Sequence, residues 1–428
     1  MQNRPCARRT ASRERSPLAI SLLAAAAVAA IAASAPARAA DHCSVRVDRR
    51  DGTLLLTAAH VTGTLRWGTT LGQESTPVFD AATCTTPTGR AVRCTLGDVG
   101  TPERTTVPDG CTVFLADDGP TRCAAYVAKC RPIPPPIACQ MFPANNVWNR
   151  DVSGLPPHPL SDDYVASIGM SAPLHPDFGG ALYRNAPIGI PYTVVPSIQP
   201  LVPISFLYDD ESDPGPYPLP PFAPVEGGAK PGVGKGDAHV LVVETGSCTL
   251  WEVYAAKSHV KGASWSAGSG AVFDLTSNAL RPAGWTSADA AGLPILPGLV
   301  RWDETEAGVI AHAIRFTAPR TQSAYVWPAR HEASSSSDPA LPPMGVRFRL
   351  KSTFNVSSFS PRNQVILTAL KTYGMILADN GSSWFISGTP DPRWDDDELN
   401  ELKTLHGSDF EAVDTSSLIV DPDSGATP

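Results

Sequence analysis

The distribution of cysteines constrains this chain more than any other feature of its sequence. Nine cysteines occur among the 428 residues, and all except Cys6 follow an N-terminal segment with the pattern of an export signal. An even number of cysteines in an oxidising compartment favours disulfides, and the absence of any C-x-x-C pair argues against zinc thiolates. Seven of the remaining eight lie before residue 140, so a small cross-linked domain is expected to precede a larger one. The residues expected to form disulfides are Cys43, Cys84, Cys94, Cys111, Cys123, Cys130, Cys139 and Cys248.

Residues 1–40 are typical of a signal peptide. Five arginines lie within the first fifteen residues, an apolar run covers residues 18–31, and Ala37-Arg38-Ala39 matches a small-x-small cleavage site. We therefore expect a secreted or periplasmic protein. No later apolar run approaches the ~20 residues that span a bilayer, so no membrane span is predicted.

Composition narrows the class of protein further. The formal net charge is −8 at pH 7, which argues against nucleic acid as a partner because phosphate binding needs clustered Lys and Arg. The chain has 43 prolines and 34 glycines but only 18% charged residues, a composition that favours turns and strands over long helices. We therefore expect a mainly β fold with a few helices. The composition indicates no particular oligomeric state.

Residues 41–131 are predicted to form a small disulfide-stapled β-domain. Short alternating segments are separated by Asp-Gly turns at positions 51–52, 109–110 and 118–119. The proline-rich residues 132–138 predict a semi-rigid polyproline linker after this domain. Beyond the linker only Cys139 and Cys248 remain, so we expect them to form a disulfide that fixes the start of the second domain.

Residues 139–414 are predicted to form the main domain, a β-sandwich or jelly roll. Strand-like residues 239–244 and 249–254 flank a Gly-Ser turn and predict a hairpin. Further strands are predicted at residues 309–317, 324–327, 347–351, 375–378 and 384–387. The last two are expected to pair with each other around the turn Asp379-Asn380-Gly381.

Two helices are expected in the main domain. Ser360-Pro361 predicts the N-cap and first residue of one helix, and Gly374 predicts its C-terminal end. The acidic residues 395–398 predict the start of the other, because carboxylates complement the helix dipole there. Residues 415–428 are expected to be a disordered tail.

Carboxylates between residues 268 and 317 are the first candidates for chemistry. Asp274, Asp289, Asp303 and Glu304 stand among apolar neighbours. A carboxyl group in apolar surroundings has a raised pKa, which suits a general acid, and a second carboxylate in a polar setting can act as base or nucleophile. We expect Asp274 and Asp289 to be the catalytic pair, with Asp303 or Glu304 as the alternative partner. The structural alternative is that each carboxylate caps a turn or pairs with Arg281, Arg301 or Arg315.

Histidines suggest a second kind of site. With a period of two, His312 lies on the apolar face of the strand predicted at residues 309–317, and His239 shares a face with Leu241 and Val243. We expect His312 to orient or polarise a catalytic carboxyl. In the alternative hypothesis, His239, His312 and His331 bind a transition metal. The primary hypothesis requires no cofactor.

Tryptophans suggest a binding surface. The indole face packs against the apolar face of a sugar ring. Trp265 and Trp285 lie beside Ser, Gly and Thr, so we expect these two to be exposed and to bind carbohydrate.

The block of residues 270–299, together with the sequence YGMILADNG of residues 373–381, resembles a family of secreted bacterial proteins without an established activity. The resemblance covers most of residues 140–414. It implies that the main domain is a recurrent unit, and it implies no catalytic residue.

These observations favour an exported protein that recognises an extracellular polysaccharide, with or without hydrolysing it by carboxylate acid/base chemistry. A metal-dependent enzyme and a non-catalytic surface or adhesive protein are the alternatives. Fold class alone does not choose among them.

Overall fold

The structure, a computed structural model, describes residues 134–428 except 185, 222 and 229–235, together with the backbone of eight strands between residues 44 and 126. Strand residues (26%) outnumber helical residues (18%) in the interpretable part of the chain. The prediction of a mainly β protein with few helices is therefore confirmed. The finer prediction of a β-sandwich or jelly roll stays a prediction.

The N-terminal strands form two antiparallel sheets. They are β1 (Ser44–Arg50), β2 (Thr53–Ala59), β3 (Thr64–Gly68), β4 (Thr76–Pro77), β5 (Thr83–Thr85), β6 (Ala91–Thr95), β7 (Val113–Asp118) and β8 (Thr121–Tyr126). One sheet has the order β1-β2-β6-β5 and the other β4-β3-β7-β8. Cys84 and Cys94 lie opposite each other on β5 and β6, whereas Cys43, Cys111 and Cys130 lie outside the described residues. The disulfides expected in this region stay predictions.

The strands beyond the linker form four sheets. They are β9 (His175–Asp177), β10 (Leu182–Tyr183), β11 (Ala186–Pro187), β12 (Tyr192–Val195), β13 (Ile204–Phe206), β14 (Val240–Glu244), β15 (Thr249–Tyr254), β16 (Lys257–His259), β17 (Ser264–Ala267), β18 (Ser269–Asp274), β19 (Ile314–Ala318), β20 (Arg347–Leu350), β21 (Met375–Asn380), β22 (Phe385–Ser387) and β23 (Phe410–Ala412). A six-stranded sheet has the order β23-β20-β21-β19-β22-β9, a four-stranded sheet β12-β14-β15-β18, and a three-stranded sheet β13-β17-β16; β10 and β11 pair separately. The predicted hairpin is present, because β14 pairs with β15 in antiparallel register.

The four-stranded sheet is apolar on both faces. Leu241 and Val243 of β14 belong to the large core that also contains the six-stranded sheet. Val240 and Val242 point the other way, into a smaller core with Trp265. Since successive strand residues point to opposite faces, the unbroken run of buried residues in β14 is what a central strand requires. The residue before it, His239, continues the Leu241 face toward the large core.

Four α-helices and seven short 3-10 helices complete the described part of the fold. The α-helices are α1 (Ser161–Ile168), α2 (Trp302–Ala307), α3 (Pro361–Thr372) and α4 (Asp396–Asn400), and the 3-10 helices are Val147–Asn149, Asp209–Glu211, Val260–Gly262, Leu296–Gly298, Glu401–Thr404, Gly407–Asp409 and Ser416–Leu418. Both predicted helices, α3 and α4, are confirmed. Gly374 ends α3 with a φ of +67°, and the Asp395 side chain caps α4 by accepting from the Asp397 and Glu398 amides. Among the described residues, no helix has the length and apolar character that crossing a membrane requires.

The ends of the main region are fixed by covalent and hydrogen bonds. The disulfide predicted between Cys139 and Cys248 is present, with Cα atoms 5.6 Å apart. Residues 415–428, expected to be disordered, instead pack against the domain. Their backbone forms bridges such as Asn146↔Ala426, and the Trp327 indole donates to the Ser424 carbonyl at 2.8 Å. The prediction was based on the polar composition of this segment, which does not indicate that its backbone groups form hydrogen bonds with distant residues.

Two predicted strands differ from the observed structure. The strand expected at residues 309–317 begins only at Ile314, because α2 and its left-handed C-cap Gly308 (φ +79°) precede it. At residues 324–327 only an isolated bridge between Tyr325 and Met344 forms. Strands β21 and β22, expected to pair with each other, are separated by β19.

Candidate functional site

Asp274 does not have the apolar environment that the sequence predicts. It lies at the exposed end of β18, and its carboxylate accepts hydrogen bonds from the Thr276 amide (2.8 Å) and hydroxyl (2.6 Å). These bonds lower the pKa of Asp274. The residue therefore caps a turn, and its geometry does not favour a general acid.

Asp289 is buried, but as one half of an ion pair. Its side chain is fully buried, and its two oxygens accept from Arg315 Nε at 2.6 Å and Nη2 at 2.7 Å. Burial would lower the pKa of Arg315, but Asp289 more than reverses this effect and raises it. A carboxylate held in this fork positions the arginine.

Glu304, Arg301 and His312 form a separate cluster. Arg301 pairs with Glu304, and His312 Nε2 lies 3.2 Å from Glu304 Oε1. Burial would raise the pKa of Glu304, but Arg301 and His312 lower it. Asp303 is exposed and borders a cavity of about 150 Å³ with Tyr192. The predicted carboxylates are thus not brought together. Asp274 caps a turn, and Asp289 and Glu304 each pair with an arginine, as the structural alternative predicted.

The three histidines of the metal hypothesis lie in different polar environments. His239 contacts Glu226 and the Ala288 carbonyl, His312 contacts Glu304, and His331 Nδ1 lies 2.8 Å from the Ala290 carbonyl. In the part of the chain that the structure describes, no three His, Cys, Asp or Glu side chains form a group that could bind a metal. The three-histidine site is therefore not found among these residues.

The two tryptophans that were expected to be exposed and to bind carbohydrate are not exposed in the structure. Trp265 is only 3% exposed and belongs to the smaller core. From β17 of the three-stranded sheet it packs with residues of the four-stranded sheet. Trp285 is half-buried, and the Arg281 guanidinium lies 5.6 Å from the centre of its ring. The prediction of an exposed Trp265 is wrong.

A different group of ionisable residues does come together. It lies where β9, β19, β21 and β22 of the six-stranded sheet approach the start of β14, and it is called the Asp379 site below. Arg315 lies in it, with Nη2 3.3 Å from Asp379 Oδ2 and Nη1 2.7 Å from Ser387 Oγ. The site consists of Asp177, Glu226, His239, Arg315 and Asp379.

Asp379 is a titratable group of this site that remains partly open to solvent. Its side chain is 22% exposed. Burial, and then the negative charge of Asp289, raise the pKa of Asp379 to about 7, although Arg315 and His239 act in the opposite direction. A carboxyl group with such a pKa can gain or lose a proton near neutral pH.

His239 is the histidine of the site, and its positive charge acts on Asp379. Its Nδ1 lies 2.7 Å from Glu226 Oε2 and its Nε2 lies 3.0 Å from the Ala288 carbonyl oxygen. Burial would lower the pKa of His239, but Glu226 raises it to about 9. Since both ring nitrogens face acceptors, the doubly protonated ring satisfies both contacts as a donor.

Asp177 provides a second carboxylate on the same face of the sheet. It is the register partner of Ser387 across β9 and β22, and Ser387 in turn bonds Arg315. Directly opposed strand residues point to the same side. Asp177 is exposed, and partial burial together with the charge of Glu226 raises its pKa.

Two further groups border the site. The Tyr254 ring lies 5.7 Å from the His239 ring; burial, and then the charges of Asp237, Tyr208 and Asp379, raise the pKa of Tyr254. Glu252 lies behind the site and is fully buried. Its carboxyl accepts from the Ile295 and Leu296 amides at 2.9–3.0 Å, and burial raises its pKa to about 7.

Sequence reasoning missed Asp379, Asp177 and Glu226, although one signal was present. Arg315 is a lone charge in the apolar strand Ile314–Ala318, and a buried charge is normally paired or hydrogen-bonded to polar partners. Comparison with protein families, with curated proteins and with solved structures finds no match. The functional argument therefore depends on the geometry of the site.

Proposed function

We propose that this protein recognises and hydrolyses an extracellular polysaccharide, with Asp379 as the acid that protonates the leaving oxygen. The observation that carries the proposal is the Asp379 carboxyl itself. It is partly open to solvent, its pKa is raised to about 7, and it is held 3.3 Å from an arginine that Asp289 fixes in place. A general acid needs this combination of access, proton affinity and fixed position.

Asp177 is the proposed base of the same reaction. Water attacks the anomeric carbon as Asp177 takes its proton, the glycosidic C–O bond breaks, and Asp379 donates its proton to the departing oxygen. The backbones of the two residues are separated by three strand spacings of about 4.8 Å, about 14 Å in all. Asp379 contacts Arg315 directly, and Asp177 is linked to it through its strand partner Ser387. This wide separation favours the inverting reaction over the retaining one, which needs carboxyls about 5 Å apart.

Polysaccharide is proposed as the substrate class from the rest of the chain. The signal-like N-terminus supports a secreted or periplasmic location, where polysaccharides occur, and the acidity of the chain disfavours nucleic acid. For the N-terminal region we propose a disulfide-stapled β-sandwich. Its two four-stranded sheets and the opposed positions of Cys84 and Cys94 support this.

A panel of neutral, amine-bearing and uronate polysaccharides, assayed for new reducing ends, tests the proposal. Asp379→Asn should lower kcat/KM by about 100-fold or more on any polymer that the native protein cleaves. Asp151→Asn is the matched control, because Asp151 is an exposed aspartate that bonds only the nearby Ser153 amide among the described contacts; it should keep native activity.

The pH profile provides a second measurement. The general acid must be protonated, so kcat/KM of the native protein should fall as the pH rises above about 7. Binding without cleavage would favour the non-catalytic surface protein, and full activity in Asp379→Asn would remove Asp379 from the mechanism.

A further inference from the structure

Exposed aromatic side chains are rare in the described part of the chain. Among these residues, the aromatic side chains that count as exposed are Tyr183, at 53%, and Tyr208, at 49%. Aromatic rings normally bury much of their surface, so an exposed ring beside a candidate active site is a natural contact for a ligand.

Tyr208 is held in place although its ring is exposed. Its amide donates to the Gly268 carbonyl at 2.9 Å, and its own carbonyl accepts from the Ser212 hydroxyl at 2.6 Å. The chain before it is anchored as β13, where Phe206 packs on Tyr217 with ring centres 5.4 Å apart. A ligand that stacks on the ring therefore has little backbone to order, which reduces the entropic cost of binding.

The Tyr208 segment is joined to the Asp379 site through Gly268 and Tyr254. The Gly268 amide donates to the Tyr254 carbonyl at 2.8 Å. A Cβ on Gly268 would lie only 2.6 Å from Tyr254 Cδ1, so the absence of a side chain lets the ring lie directly on this backbone. Tyr254 in turn contacts His239, as described above. A chain of contacts thus links Tyr208, through Gly268 and Tyr254, to the buried His239 of the site.

From this arrangement, and resting on the proposed function, we infer that Tyr208 is the platform on which a sugar ring stacks next to the bond to be cleaved. The apolar C–H face of a pyranose packs against an aromatic face while its hydroxyls stay free at the edge. Tyr208 takes the place that the sequence assigned to Trp265 and Trp285. It is a binding residue, so its contribution should appear mainly in KM.

The test compares three variants on a polysaccharide that the native protein cleaves. Tyr208→Ala should raise KM about fivefold to tenfold with kcat within about twofold, as expected for the loss of one aromatic contact. Tyr208→Phe keeps the ring face and should retain the native KM. Tyr183→Ala, which removes the other exposed tyrosine, is the matched control and should also leave KM unchanged.

The outcomes separate the inference from the proposed function. An unchanged KM in Tyr208→Ala, or an equal loss in Tyr208→Phe, would overturn the stacking role even if Asp379→Asn is inactive. If the native protein binds a glycan without cleaving it, Kd replaces KM in the same comparison. If it neither binds nor cleaves any member of the panel, both the proposed function and the stacking role are wrong.

Discussion

The raised pKa of the buried Glu252 carboxyl leads to a prediction that can be tested without a substrate. Its pKa is raised from an ordinary value of 4.5 to about 7 because the side chain is fully buried, with only the Ile295 and Leu296 amides as donors among the described contacts. The folded state thus holds the Glu252 proton more tightly than the unfolded state does. Between pH 4.5 and 7 the unfolded chain ionises first, so the free energy of unfolding must fall as the pH rises through this window.

The size of this effect follows from the pKa difference. Each pKa unit corresponds to about 1.36 kcal/mol, so the whole window contributes about 3 kcal/mol, of which about 2 kcal/mol falls between pH 5.0 and 7.5. Other groups titrate as well: the raised pKa values of Asp379 and His239 also make the folded state less stable as the pH rises. Only the difference from a variant without the carboxyl isolates Glu252.

Urea unfolding followed by circular dichroism at pH 5.0 and pH 7.5 measures this difference. Glu252→Gln cannot titrate, so its free energy of unfolding should fall by about 2 kcal/mol less than that of the native protein between these pH values. Any loss from the altered hydrogen bonds is present at both pH values and cancels. Glu306→Gln, a change at an exposed glutamate, should show the native pH dependence. Equal pH dependence in the native protein and Glu252→Gln would refute the assignment of a protonated Glu252.

Three further predictions concern residues with defined partners. Arg315→Met leaves the Asp289 carboxylate buried without its arginine, and urea unfolding should show a loss of about 3–5 kcal/mol; a loss below about 1 kcal/mol would contradict the role of the pair. Replacing both Cys139 and Cys248 by Ser opens a loop with a sequence separation of 109 residues and should cost about 2–4 kcal/mol in the same assay, whereas an unchanged urea midpoint would show that the disulfide is dispensable. Asp274→Asn should keep native activity on any polysaccharide that the protein cleaves, and a large loss would restore the assignment made from sequence.

Local patterns predicted the local structure well. The Ser360-Pro361 start and the Gly374 end of α3, the acidic start of α4 and the hairpin of β14 and β15 all depend on neighbouring residues, and all are present. The order of strands in the six-stranded sheet depends on contacts between distant segments. The sequence contains no local signal for placing β19 between β21 and β22, so β21 and β22 were expected to pair.

The candidate site was missed for the same reason. Asp379 precedes Asn380 and Gly381, a pattern typical of a turn, and nothing near it in sequence indicates a buried arginine. Its partners come from β9, β19 and the segment before β14. Burial of Asp289 was predicted correctly from its apolar neighbours, but the same neighbours cannot show that Arg315 occupies both of its oxygens.

A register shift explains why Asp379 points toward Arg315. In the parallel pair of β19 and β21, Phe316 is opposite Leu377 but Thr317 is opposite Asp379, so Ala378 is an extra residue. Without this bulge, strict alternation would place Asp379 on the face of Leu377, away from Arg315. The bulge moves Asp379 to the arginine's face, and the Ala378 carbonyl accepts from the Ala291 amide at 2.9 Å, which ties the segment carrying Asp289 to the same place. One additional residue in β21 therefore brings together both carboxylates that bind Arg315, and a reading based on period two must assign Asp379 to the wrong side.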